Sequence, residues 1–241
     1  MKSVFLSFVI LLIAINSQAQ KTEVMLNADG GFFLFHGKSS SPVFDGEHYI
    51  FFGKAFIPSY GMSAQLQYIF SSQKIIGLSV GYENLRNENK NFGQLEVFGP
   101  LEIFGKSVLS YQFTNIFPYV GYRFNLDEEW KLDVLAGVDI GFMILAIQKE
   151  NEHNLSGDTM NFTNYLYHPN IDIRPRLQAD FFYKRFGFYF GYSFGVVNYA
   201  KTNNLTTDKI YSECFRMGIS YKIFIKSKHD FYNKIENSII K

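Results

Sequence analysis

Charged residues in the second half of this sequence fall on one face of segments that are otherwise apolar. Asp133 and Asp139 alternate with Leu132, Val134, Val138 and Ile140. Asp172, Arg174, Arg176, Asp180 and Lys184 do the same between Ile171, Ile173, Leu177 and Tyr183, and Arg216 and Lys222 follow in the last such segment. Glu83 and Arg123 stand at equivalent positions of two earlier segments. Positions two or four apart point the same way on a strand, so these eleven residues belong to one surface and can pair across neighbouring strands. An unpaired buried charge costs several kcal/mol, about 3–5 when a partner is removed. The expected chemistry is therefore ion pairing that fills an interior, with a proton or ion pathway as the sharper alternative.

Other residues offer less. His36, His48, His153 and His168 are scattered without the close ligand spacing of a metal site. A hydrolase would need a Ser, a His and an orienting carboxylate, and Ser156 near His153 and Glu152 is the one local combination. Cys214 has no second cysteine to pair with and reads as a small side chain within a strand. The residues present call for no catalytic centre, no cofactor and no metal.

What must position the charges is a set of strands. Tyr60, Met62, Ala64, Leu66, Tyr68 and Phe70 alternate with Ser59, Gly61, Ser63, Gln65 and Gln67. After Ser71-Ser72-Gln73-Lys74 the pattern resumes as Ile76, Leu78, Val80 and Tyr82 opposite Gly77, Ser79, Gly81 and Glu83, which predicts a hairpin. Equivalent hairpins are read around the turns at 126–129 and 184–187. A less regular first strand spans about 22–36, and a last one carries Phe215, Met217, Ile219, Tyr221 and Ile223, giving eight in all. Between the short turns run longer polar segments near 37–55, 86–106, 147–169 and 200–209. Strict alternation of short and long connections is the topology of an outer-membrane barrel, the short turns periplasmic and the long loops extracellular.

The two ends and the composition agree. Lys2, the apolar run Val4 to Ile15 and Ser17-Gln18-Ala19 read as a signal peptide over 1–19. Its apolar run is shorter than the roughly 20 residues of a spanning helix. Without Lys2, 22 basic residues balance 22 acidic ones, so there is no electrostatic footprint for nucleic acid. The aromatic content of 18% comes from 27 Phe, 16 Tyr and 1 Trp. Aromatics stand near both ends of the apolar face (Tyr60, Phe70, Tyr82, Phe142, Tyr183, Tyr221, with Trp130 beside a turn), as in interfacial girdles. The apolar face is thus read as facing lipid, the inverse of a soluble lipocalin-like barrel. The expected fold is all-β: an eight-stranded antiparallel up-and-down transmembrane barrel over 20–224, followed by a periplasmic tail over 225–241. In that tail Phe231, Ile235, Ile239 and Ile240 fall near helical spacing, against the alternative of a frayed end.

One hairpin carries a resemblance. The run FTNIFPYVGYRFNLDEEWKLDVLAGVDIGFMILA, Phe113 to Ala146, resembles the Pro-containing strand, acidic turn, Trp-Lys-Leu and Ala-Gly-x-x-x-Gly pattern of the PorT-like outer-membrane β-barrel family. The resemblance implies an outer-membrane barrel, in a family whose namesake is associated with protein secretion and whose members mostly have no assigned activity. The 17 residues after Phe224 depart from the pattern of barrels that end on the aromatic residue of the last strand. A six-residue step in FGQLEVFGPLEIFG, residues 92–105, reads as a hairpin extension or as an aromatic surface for a partner or surface glycan. The function expected is non-enzymatic, structural or interacting, with outer-membrane lipid around the barrel and an envelope protein contacted through the loops or the tail. The alternatives are a lipid-modifying or proteolytic barrel and a narrow pore.

Overall fold

A computed structural model describes residues 21–37, 43–44, 49–50, 55–95, 102–153, 159–166, 169–199 and 209–227. The strands in chain order are β1 (Lys21–Gly37), β2 (Val43–Phe44), β3 (Tyr49–Ile50), β4 (Ala55–Phe56), β5 (Pro58–Ile69), β6 (Lys74–Leu95), β7 (Glu102–Asn125), β8 (Trp130–His153), β9 (Thr159–Leu166), β10 (Ile171–Tyr183), β11 (Phe186–Phe194) and β12 (Ile210–Ser227). Among the described residues there is no helix long and apolar enough to cross a membrane.

Eight of these strands close a ring by antiparallel pairing in the order β1, β5, β6, β7, β8, β10, β11, β12 and back to β1. The closing ladder runs the full length of β1, from Lys21 opposite Ser227 to Gly37 opposite Ile210, with one bulge between Val24 and Met25. Closure leaves the ring without an edge, so within it every strand finds a partner on both sides. The three short turns fall where the sequence puts them. Gln73 and Lys184 take positive φ there, 63° and 54°, a conformation few residues with a Cβ adopt.

Three boundaries differ from the sequence reading. The segments near 86–106 and 147–169 look like loops because they are polar, yet β6 and β7 stay paired out to Leu95 opposite Glu102. Likewise β8 continues to His153, paired with β9 instead of β10 above Ala146. These hairpins rise beyond the ring into water, where a strand need not alternate with apolar residues. The hexapeptide repeat of 92–105 contributes both arms of the β6–β7 extension, its tip lying outside the described residues. The last strand also continues past Phe224 to Ser227, because Lys226 and Ser227 find partners in Thr22 and Lys21. The expected signal peptide and the rest of the tail lie outside the described residues.

The pleat sorts the two faces cleanly. On β8, Val134, Ala136, Val138 and Phe142 are exposed on the outside of the ring, whereas Asp133, Leu135, Asp139 and Gly141 are buried inside. Small residues inside make room for large ones next door. A Cβ on Gly77 would lie 2.3 Å from the Tyr119 ring and 2.7 Å from the Leu66 carbonyl oxygen, and one on Gly187 would lie 2.5 Å from the Phe182 ring. We therefore expect Gly77→Ala to destabilise the barrel by about 1–3 kcal/mol, the usual cost of overpacking. The measurement is urea-induced unfolding in vesicles. An unchanged midpoint would show that Tyr119 swings aside freely.

Candidate functional site: the barrel interior

The interior is stacked in layers along the axis. Near the three short turns, Arg123 bonds to two carboxylates at once. Its Nε and Nη2 donate to Asp133 at 2.7 and 2.6 Å, and its Nη1 and Nη2 donate to Glu23 at 3.0 and 2.9 Å. Paired N–H···O bonds of this kind are the strong form of the arginine–carboxylate interaction. Lys222 sits 3.2 Å from Glu23 and 3.6 Å from the centre of the Phe182 ring. Gln67 donates to Glu23 at 2.9 Å and to Asp133 at 3.3 Å. The group thus ties β1, β5, β7, β8 and β12 together.

Beside and above it, Ile69, Ile75, Phe117, Tyr119 and Leu135 form a small apolar layer. Asp180 faces Asp133 across the β8–β10 ladder and accepts from Gln178 at 2.6 Å.

The second charged layer is built around Glu83 and Asp139. Arg216 donates to Glu83 at 2.7 Å, to Asp139 at 2.9 Å and to Ser193 at 2.7 Å. Arg174 pairs with Glu83, approaches Asp139 at 3.2 Å and lies over the Phe113 ring. Arg176 is 3.8 Å from Asp139 and stacks on Phe117 at 4.5 Å. Asn115 donates to Asp139 at 3.1 Å. Asp172 accepts from the Tyr199 hydroxyl at 2.6 Å and from Ser212 at 2.9 Å, and Asp29 accepts from Tyr189 at 2.8 Å. A cavity of about 20 Å³, lined in part by Glu83, Asn115, Asp139 and Arg216, lies within this layer; that is room for about one water.

Towards the end of the ring away from the short turns the interior turns apolar. Phe33, Phe35, Leu85, Leu109, Tyr111, Phe113, Ala146, Leu166, Tyr199, Ile210 and Cys214 pack into one buried cluster. Its rings meet edge-on, Phe33 with Phe35 at 4.8 Å and Phe35 with Tyr199 at 5.2 Å, an arrangement favoured by the ring quadrupole. Cys214 is therefore part of a packed layer.

Of the eleven charged residues singled out from the sequence, ten line this interior. Lys184 does not. It occupies the β10–β11 turn, exposed, and pairs at 2.8 Å with Glu129 of the β7–β8 turn. The alternation that put it on the inner face stops one residue earlier, where the chain reverses. Its hydrogen bond holds the Glu129 carboxyl below the usual carboxylate range. Two carboxylates went unassigned: Glu23 and Asp29. Both lie on the inner register of β1 with Asn27, and counting back by twos from Asn27 finds Glu23. The aromatic cluster is hidden in the sequence because Phe33, Phe35, Tyr111 and Phe113 put apolar side chains where the alternation elsewhere puts polar ones. Of the histidines, His36 is exposed at the top of β1 beside Tyr211. His48 and His168 and the side chains of Glu152, His153 and Ser156 lie outside the described residues, and no metal-binding group occurs among the described ones.

The outer wall completes the picture. Trp130 packs on Tyr183 and Phe186 on Tyr221, each pair at 5.0 Å, near the periplasmic turns, and Val120, Val134, Leu177 and Ile219 are exposed between the two ends. Apolar outside and charged inside, a closed ring of this kind is a membrane-spanning β-barrel.

No family model matches the chain, and no curated protein does either. Solved structures similar to it are outer-membrane barrels. Ail, the attachment invasion locus protein of Yersinia pestis in complex with the heparin analogue sucrose octasulfate, is 10% identical, with a TM-score of 0.37 over 84% of this chain and 98% of that one. Neisserial surface protein A is 11% identical, with a TM-score of 0.36 over 84% and 99%. The translocator domain of the autotransporter NalP from Neisseria meningitidis is 10% identical, with a TM-score of 0.29 over 91% and 97%.

Proposed function

We propose that this protein is a non-enzymatic barrel of the outer membrane that serves as a closed anchor, presenting its long extracellular hairpins to other envelope components. The observation that carries this reading is the filled interior. Two charged layers and an aromatic cluster follow one another along the axis, and an eight-stranded ring is just wide enough for side chains to fill. That filling argues against the narrow pore. The Pro-containing strand, acidic turn, Trp-Lys-Leu and Ala-Gly-x-x-x-Gly pattern of the Phe113–Ala146 hairpin supports kinship with the PorT-like barrels, and residues 1–19 are assigned to a cleaved signal peptide.

Two measurements test this. The mature chain should run compact on a gel until boiled, since a closed ring holds every strand by hydrogen bonds on both sides; solubility without detergent and mobility that ignores boiling would favour a lipocalin-like protein. Reconstituted in a planar bilayer, it should give no resolved conductance steps. Stable open-channel steps would replace the anchor reading with that of a pore.

A further inference from the structure

We propose that the outward face of β6, β7 and β8, above the apolar wall, binds the phosphate groups of the glycolipid that forms the outer leaflet. The proposal rests on the outer-membrane reading and adds a ligand and a place. Outward positions on β6 run Val80, Tyr82, Asn84, Arg86, and on β7 they run Ile116, Thr114, Gln112, Ser110, Val108, Lys106. The same face is apolar below and cationic above.

Register brings the cations together. Arg86 pairs with Ser110 and Lys149 with Val108, and Lys106 lies two residues beyond Val108, so Lys106 and Lys149 are diagonal neighbours about 7–8 Å apart. Lys149 is exposed, and Lys106 is 55% exposed while paired at 2.7 Å with Glu88, itself buried. Among the described residues, no carboxylate lies within ion-pair distance of Arg86 or Lys149. Two cations are left over on this side after Glu88 has taken Lys106.

The opposite side of the ring is different. There Glu213 on β12, which accepts from Tyr192 at 2.7 Å, is matched by one exposed cation, Lys209, just before that strand, so the charges there balance. A general attraction to an anionic surface would not need cations gathered on one side. A surface continuous with the lipid-facing wall meets lipid headgroups before any other ligand, and basic side chains near an anionic surface are drawn to it. Phosphate is the matching anion, with the Gln112 side chain beside it as a neutral hydrogen-bonding group, while Ser110 donates to the buried Asn84 at 2.7 Å.

The test uses the refolded, heat-modifiable barrel in detergent, titrated with bisphosphorylated lipid A and with the same lipid after removal of both phosphates. Wild type should bind the bisphosphorylated form about tenfold more tightly, and millimolar inorganic phosphate should not displace it. The variant Arg86→Gln/Lys149→Gln should stay heat-modifiable and bind the two lipids alike. Equal binding of both lipids by wild type would overturn the proposal, as would a preference that survives in the variant. Displacement by free phosphate would overturn the lipid as the source of the anion. A chain that never becomes heat-modifiable would instead overturn the membrane reading beneath it.

Discussion

Val134→Arg should lower the stability of the barrel in a lipid bilayer by about 2–4 kcal/mol, the cost of a cation near the midplane of the lipid face. Val134 is exposed on the outer wall, four residues up β8 from the Trp130 girdle. Its neighbours on the adjoining strands are Tyr122 and Ala179, so no carboxylate stands opposite to relieve the charge. Reversible unfolding by urea in vesicles of defined thickness gives the number. If the variant matches wild type in lipid and Gln67→Leu, which loses the bonds to Glu23 and Asp133, is tolerated as well, the lipid lies on the other side of the wall.

The second large effect is expected inside. Arg216→Leu removes the donor shared by Glu83 and Asp139 and leaves both carboxylates facing each other with Arg174 and Arg176 as the remaining cations. Breaking a buried pair by deleting one partner costs about 3–5 kcal/mol, most of it the penalty for the charge left behind. The double variant Glu83→Gln/Arg216→Leu should then cost less than the sum of the single changes by about 0.5–3 kcal/mol, the range for residues in one network. Additive losses in the same unfolding assay would mean that Arg216 contributes by filling space and not by its charge.

These expectations draw on what the sequence makes legible and on what it hides. Alternation is a local property, so the strands that contact lipid on one side and packed charge on the other, such as Ser59 to Ile69 and Leu132 to Phe142, are readable residue by residue. Turns are readable for the same reason, since Leu126-Asp127-Glu128-Glu129 interrupts the pattern on both sides. The hairpin extensions are not, because above the lipid neither face of β6 or β8 has to be apolar. Partners across the ring are also invisible locally. That Arg123 reaches Glu23 is a fact of register around four strands, β1, β5, β6 and β7, and only the shared inner face of the two residues hints at it. The aromatic cluster breaks the binary code: Phe33 and Tyr111 follow a polar-inside rule with apolar side chains, and only the closed ring shows why both can be buried.

The ladder between the first and last strands has a consequence for how this molecule comes to be. Lys21 meets Ser227, and the bonds that hold the charged layers link residues 100 and 133 positions apart, Arg123 with Glu23 and Arg216 with Glu83. Neither ion pair can form within a single hairpin, and Arg216 with Glu83, like the ladder from Lys21 to Ser227, has to wait for β12. An arc of sheet caught in a bilayer before that moment would expose bare carboxylates and guanidinium groups to hydrocarbon, together with two unsatisfied edges. Assembly is thereby made to wait for its final strand: whatever brings β12 to β1 completes the hydrogen-bonded ring and delivers Arg216 and Lys222 to the two charged layers in one event, and an arrested intermediate has every reason to stay at the aqueous surface.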